Sequence, residues 1–126
     1  MGTEVRNFRE LQVWQRGMDL AVRVCRAVST FPNYEMYGLA SQLRRAAISI
    51  PSNIAEGSAR SGTREFLNFL SIAQGSLAEV ETQLEIAFRL NYVQTTTFEE
   101  FLSETQQLTR MLFGLRNSLQ KRLEQK

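Results

Sequence analysis

Glutamates at helical spacing are the residues of this 126-residue chain that come nearest to catalytic chemistry. Glu81 and Glu85 are one helical turn apart, Glu79 precedes them by two residues, and Glu100 and Glu104 repeat the one-turn spacing. Glutamates gathered in a helical bundle can hold Mg²⁺ over a pyrophosphate, which is the chemistry of a magnesium-dependent phosphohydrolase or nuclease. Because such glutamates are more often a solvated face, we favour that interpretation and keep a hydrolase using Glu79, Glu81 and Glu85 as an alternative.

The composition argues against most other catalytic sites. The chain has no histidine, which removes the usual general base, the commonest transition-metal ligand and the Glu-x-x-His pairs of di-iron bundles. Its single cysteine, Cys25, cannot build a zinc or iron–sulfur site. The glycines of EGSARSGTRE lack the lysine and the preceding strand of a P-loop. We therefore expect no metal site, no cofactor and no enzymatic activity.

The basic residues are almost all arginines, thirteen of fifteen, and arginine is suited to bidentate contacts with phosphate or carboxylate. The formal net charge is only +2, but it is unevenly distributed. Residues 76–109 carry six Glu and one Arg, whereas residues 110–126 carry five basic residues and one Glu. This asymmetry could steer a partner or pair one subunit with another, and a solvated surface is the plain alternative.

Cellular location is predicted from what the chain lacks. A lone cysteine allows no intramolecular disulfide, so the fold needs no oxidising compartment. No apolar run approaches the roughly 18 residues of a membrane span, and the first residues lack the apolar core of a signal peptide. We expect a cytoplasmic protein with no membrane partner.

Periodic apolar residues predict one domain over residues 1–126, with an ordered core over about 8–122, built from four amphipathic helices. Helix one is predicted to start near Asn7, which can cap with Glu10. Helix two should run from about Gly38 to Ala59 and helix three should end near Asn91, a plausible left-handed cap. The apolar face predicted for helix one is Leu11, Trp14, Met18, Val22, Cys25 and Val28.

The other helices show equally regular apolar spacing. Helix three alternates steps of four and three, which is the seam of a bundle. Helix four should open with a capping box of Thr96 with Glu99, or Thr97 with Glu100. Short connections make neighbours antiparallel, so the sequence predicts an all-α, up-down-up-down four-helix bundle. The predicted seams are Phe66, Leu70, Ala73, Leu77, Val80, Leu84 and Ala87 on helix three, and Phe98, Phe101 or Leu102, Leu108, Leu112, Leu115 and Leu119 on helix four.

The stretch RRAAISIPSNIAEGSAR, from Arg44 to Arg60, places a proline inside helix two. Pro51 removes one backbone hydrogen bond and crowds the carbonyl of residue 47, at a cost of about 3 kcal/mol or more. Because the apolar face continues across it, we predict a continuous helix kinked at Pro51, with Ser49, Ser52 or Asn53 satisfying freed backbone groups. Gly57 suits close backbone approach near the following turn.

This stretch also carries a family resemblance. YGLASQLRRAAISIPSNIAEGSAR, followed by EFLNFLSIAQGSLAEVETQLEIA, strongly resembles a bacterial four-helix-bundle family first noticed as reading frames within intervening sequences of 23S ribosomal RNA genes. FRELQVWQRGMDL and FPNYEMYGL are similar to the same family, so the resemblance covers about residues 8–120. Gly17 and Cys25 depart from the bulkier residues of that family, which bears on the packing of helix one.

The resemblance implies a small cytosolic bundle that assembles into homopentameric rings. Distantly similar bundles are accessory subunits of reverse transcriptases in diversity-generating retroelements, where a basic ring surface meets nucleic acid and polymerase. The residues to which it draws attention for binding nucleic acid or a partner are Arg44, Arg45, Asn53, Glu56, Gly57, Arg60 and, if helix three begins early enough to place it one turn after Arg60, Arg64.

Two further hypotheses therefore stand beside the hydrolase. The first is a non-enzymatic ring that binds RNA, or DNA, through repeated arginines, because phosphate contacts that are weak in one copy add up over several. The second is an adaptor or accessory subunit for a partner protein, in which Arg44, Arg45 and Glu56 make ion pairs within or between subunits. Both expect the chain to bind copies of itself.

Overall fold

The computed structural model describes residues 7–125, which form four α-helices and two short 3₁₀ helices, with no strand among these residues. The α-helices are α1 (Gln12–Val28), α2 (Leu39–Ala59), α3 (Thr63–Arg89) and α4 (Thr95–Glu124). Short connections pack them as an all-α four-helix bundle, which confirms the predicted fold class. Among the described residues, no helix is both long and apolar enough to cross a membrane.

The turn after α3 forms where the sequence predicts it. Asn91 has a φ of 66°, the one positive φ of a non-glycine residue between residues 7 and 125. The Tyr92 amide donates to the Ala87 carbonyl at 2.9 Å, and the Asn91 amide donates to the Phe88 carbonyl at 3.0 Å. This pair of bonds is a Schellman motif, which satisfies carbonyls that the end of a helix leaves free.

The starts of α1 and α4 differ from the prediction. Asn7 does cap a helix, but it caps the 3₁₀ helix Phe8–Glu10, and α1 begins only at Gln12 after an extended Leu11. At α4 both predicted capping boxes are wrong, because the helix already begins at Thr95 and its N-cap, Gln94, makes no side-chain cap. Thr96 and Thr97 lie inside the first turn, where a residue cannot act as N-cap.

The apolar face predicted for helix one is only partly confirmed, because Val28 is buried and Leu11 and Trp14 are partly buried against the core. The prediction named the stripe that contains Met18 and Val22, yet these side chains are 37% and 42% exposed, whereas Val24 is fully buried. Helix one carries two apolar stripes of similar spacing, and periodicity alone does not rank them. Its core residues are Val13, Gly17, Leu20, Ala21, Val24 and Val28.

The stripe of α1 that faces α2 includes Gly17. A Cβ on Gly17 would make ordinary van der Waals contact with Ile50 Cγ2 at 3.4 Å and Pro51 Cβ at 3.6 Å, so α2 lies directly against this position and an alanine would also fit there. Helix α2 runs unbroken through Pro51, as predicted. The bend at Pro51 itself stays a prediction.

Helices α2 and α3 pack closely at the end of the bundle where their connection lies. A Cβ on Gly57 would lie 2.6 Å from Phe69 Cβ and 3.0 Å from Phe66 Cδ1, so only glycine fits there. This confirms the close approach expected at Gly57. The core between the four helices is a continuous apolar cluster, and the predicted seams of α3 and α4 contribute most of their members to it, including Leu70, Leu84 and Leu112.

Candidate functional site

Arg44 and Arg45 stand two turns into α2 and have no ion pair or side-chain hydrogen bond with any residue between 7 and 125. Successive helical residues point about 100° apart. Accordingly Arg45 is exposed, whereas Arg44 is half-buried and precedes Ile48, a residue at the boundary with α1, by one turn. Two adjacent cations without counter-charges form an electropositive point on the bundle surface.

Arg60, by contrast, is already engaged. Its Nη2 donates to Glu56 Oε2 at 2.8 Å, and its guanidinium carbon lies 5.1 Å from the centre of the Phe69 ring. Arg60 also ends the helix, with φ −75° and ψ 155°. Fifteen residues of helix separate it from Arg45, about 22 Å along the axis, so the structure does not gather the predicted arginines into one patch.

Asn53 and Arg64 also differ from each other, because Asn53 makes side-chain hydrogen bonds whereas Arg64 is exposed. The Asn53 amide nitrogen donates to the Ser49 carbonyl at 2.8 Å and to Ser49 Oγ at 2.9 Å. Ser49 Oγ in turn lies 2.8 Å from Ser76 Oγ of α3, so Asn53 supports helix packing rather than the surface. Asn53 therefore does not bond the carbonyl of residue 47, which Pro51 deprives of its donor. Arg64 is exposed in the first turn of α3, but Arg60 lies outside both helices, so the two are not on one helical face.

The glutamates do not converge either. Glu85 forms an ion pair with Arg89 at 2.6 Å. Glu100 and Glu104 of α4 both form ion pairs with Arg23 of α1, and the distance to Glu100 is 3.4 Å. Glu81 is half-buried while Glu79 is exposed. Among residues 7–125 no three acidic or sulfur side chains lie close enough to hold a metal ion. The described residues therefore give the magnesium hydrolase no assembled site, and Glu85, Glu100 and Glu104 form ion pairs instead.

An apolar groove between α1 and α2 is a feature that sequence reasoning missed. Its volume is about 640 Å³, and one wall is the very stripe of α1 that periodicity assigned to the core. Arg26 is the one charged residue along it. The sequence signal for this groove was that helix one carries two apolar stripes. Only the packed structure shows which of the two is left uncovered by residues 7–125. The lining residues are Trp14, Met18, Ala21, Val22, Cys25, Arg26, Ser29, Ile48, Pro51, Ser52 and Ala55.

The connection between α1 and α2 is a second missed feature. Glu35 Oε1 accepts from the Leu39 amide at 3.1 Å, and its Oε2 accepts from the Tyr92 hydroxyl at 2.8 Å. The Tyr34 hydroxyl completes the network, since it lies 3.0 Å from the Tyr92 hydroxyl. The bond with Tyr34, partial burial and the Glu35 carboxylate raise the pKa of Tyr92 above its usual range. The network holds a loop that carries large aromatic residues where connections are normally polar.

Comparison with known proteins agrees with this architecture. The family model described as 23S rRNA-intervening sequence protein matches residues 9–114. A crystal structure from Bacteroides thetaiotaomicron, of a protein with unknown function from the S23 ribosomal protein family, is similar with a TM-score of 0.78 and 24% sequence identity. The similarity covers 83% of this chain and 95% of that one, and at this identity it shows the fold alone. No curated protein matches the chain.

Proposed function

The chain belongs to the 23S rRNA-intervening sequence protein family, and on that premise we propose that it is a non-enzymatic bundle that assembles into a homopentameric ring and binds nucleic acid, RNA above all. The observation that carries the proposal is the pair Arg44 and Arg45, which have no counter-charge among residues 7–125. Arg60 acts through Glu56 and Phe69 at the end of α2, and Asn53 bonds to Ser49, whose hydroxyl contacts Ser76 of α3.

Electrostatics explains why arginines of this kind favour a phosphate backbone. A cation paired with a nearby carboxylate offers little net field, whereas an unpaired guanidinium at the surface attracts an anion and releases bound counterions from it. Two phosphate contacts in one copy bind weakly. Copies repeated around a ring act together through their effective concentration, so assembly raises the affinity without any new contact.

The groove between α1 and α2 supports the assembly part of the proposal, with a second copy as its occupant. The same chain carries a matching exposed stripe on α3, where Ile72 and Ile86 are 45% and 43% exposed and Glu79 stands between them. The two isoleucines are about 21 Å apart along the helix, close to the length of the groove from Trp14 to Ser29. The charged residue of the groove is Arg26, which complements Glu79. A patch that fits a different patch on the next copy makes a heterologous contact, and such contacts form a ring when the rotation from copy to copy closes.

The testing experiment is a titration of a labelled, structured ribosomal RNA fragment with purified protein at two salt concentrations, with a light-scattering mass measured on the same sample. The proposal expects an oligomer whose binding weakens steeply with salt. The variant Arg44→Ala with Arg45→Ala should bind more weakly, with a salt slope lower by about 1.4 for each copy engaged, since each contact to a single strand contributes about 0.7.

A matched control removes the same charge elsewhere. Arg110→Ala with Arg122→Ala deletes two exposed arginines of α4 that likewise have no ion pair among residues 7–125. This control should retain binding close to that of the unchanged protein. Equal weakening by both double variants, or unchanged binding by the first, contradicts the site. An intact oligomer that binds neither RNA nor DNA favours the adaptor, and loss of mass on changing Arg44 and Arg45 places them at a subunit contact.

A further inference from the structure

Three large side chains project into solvent from the connection between α1 and α2. Tyr37 is 92% exposed, Tyr34 is 77% exposed and Met36 is 51% exposed, all within four residues. Tyr37 makes no hydrogen bond, ion pair or ring contact with any residue between 7 and 125. Single exposed apolar residues are ordinary, but aromatic faces clustered in one connection indicate a contact surface.

The connection is held in place, so these rings are displayed on a firm support. Asn33–Glu35 form a 3₁₀ helix, and both carboxylate oxygens of Glu35 accept hydrogen bonds, one from the start of α2 and one from Tyr92. A Cβ on Gly38 would lie 2.9 Å from Glu35 Oε1, so the glycine leaves room for the carboxylate. Tyr34 is anchored through its hydroxyl while its ring stays exposed. A surface ordered in advance loses less entropy on binding.

Arg44 and Arg45 follow these rings closely along the chain. Tyr37 lies two residues before Leu39, the first residue of α2, and Arg45 lies about 9 Å along the axis from Leu39. A strand with a base on a tyrosine therefore needs only a few nucleotides to bring a phosphate to the arginines. Aromatic platforms beside a basic track are the combination that binds single strands, because unpaired bases can stack on a ring and paired bases cannot.

We propose that Tyr34 and Tyr37 stack on unpaired bases of RNA while Arg44 and Arg45 bind the neighbouring phosphates, so that the ligand is a single-stranded segment and not a duplex. This inference rests on the nucleic-acid-binding function proposed above and names its ligand. The ring of Tyr34 supplies one platform at a fixed position, and the freely exposed ring of Tyr37 supplies the other. Base identity is read weakly, since every base has a face that stacks.

The test compares an unstructured RNA of about 20 nucleotides with the same sequence annealed to its complement, by fluorescence anisotropy on the assembled protein. We expect the single strand to bind at least about 10-fold more tightly. Tyr37→Ala should weaken single-strand binding by about 5- to 150-fold and leave duplex binding unchanged. Tyr37→Phe, which keeps the ring, should restore binding. Met36→Ala is the matched control, since it removes an exposed side chain without an aromatic face, and it should bind normally.

The outcomes separate this inference from the function on which it rests. Equal affinity for both RNAs, or unchanged single-strand binding by Tyr37→Ala, overturns the stacking platform while a salt-dependent arginine effect leaves the general function standing. If no RNA or DNA binds, both fall. Loss of oligomer mass in Tyr37→Ala also overturns the inference, because it identifies the tyrosine as a protein contact. Each variant is checked by its thermal unfolding, which should be unchanged because Tyr37 is almost fully exposed.

Discussion

Gly57 of α2 lies against Phe69 of α3 so closely that an added Cβ would be 2.6 Å from Phe69 Cβ. The same added Cβ would lie 3.0 Å from Phe66 Cδ1, and Phe66 is itself buried in the core. The two helices therefore cannot move apart to make room without disturbing the core. The contact holds α2 and α3 together beside their short connection.

Gly57→Ala should therefore lower the free energy of unfolding by about 1–3 kcal/mol through overpacking. Gly75→Ala is the matched control, because Gly75 is a helical glycine with nothing within 4 Å of its added Cβ. That change should stabilise the protein by up to about 1 kcal/mol, since alanine is the better helix former. Urea denaturation of both variants checks the opposite signs. Equal effects would show that the close approach is absent.

A pair of identical substitutions tests which stripe of α1 is the core. Val24→Ala, at a position with no exposure, should cost about 1.5–3 kcal/mol, and Val22→Ala, at a position that is 42% exposed, should cost less than about 0.5 kcal/mol in dilute protein. At higher concentration Val22→Ala should lower the light-scattering mass if a second copy covers the groove. A large effect on stability from Val22→Ala alone would restore the stripe predicted from periodicity.

Tyr92→Phe tests the network that joins the two connections at one end of the bundle. The pKa of Tyr92 is raised in the folded state, so its contribution to stability is present below its ordinary value of 10.0 and is lost as the pH rises beyond that. We expect Tyr92→Phe to destabilise the protein at neutral pH, with the difference from the unchanged protein narrowing above about pH 10. Urea unfolding at about pH 8 and about pH 11 measures this difference. A constant difference across that range would contradict the network.

Arg23 joins α1 to α4 through Glu104 and Glu100. A double-mutant cycle of Arg23→Ala with Glu104→Ala should give a coupling of about 0.5–1 kcal/mol, smaller at high salt, because both side chains remain partly exposed. The pair of Glu56 with Arg60, the residue that follows the end of α2, is the comparison, with an expected coupling of about 0.3–0.5 kcal/mol. Zero coupling at Arg23 in low salt would show that this ion pair does not help to hold α4 against α1.

The sequence was informative wherever a feature depends on residues close together along the chain. The bounds of α2 and the left-handed cap at Asn91 were predicted correctly, since a helix and its end are governed by bonds between residues three to five apart. Glycine at position 57 was likewise linked to a close approach. The capping boxes predicted for helix four are wrong because Thr95, Thr96 and Thr97 are equivalent candidates for the start of the helix. Local sequence does not choose among them.

The candidate site was predicted less well, because its residues meet only through the packing of separate helices. Sequence alone grouped Arg44 and Arg45 with Arg60, whereas among residues 7–125 the fold leaves the first two without an ion pair and joins the third to Glu56. It named one apolar stripe of helix one as core, but the packing of α1 against the other helices buries mainly the other stripe. Local chemistry thus determined the helices, and the tertiary structure decided which faces they bury and which charges remain free, since burial and pairing depend on neighbours that are distant in sequence.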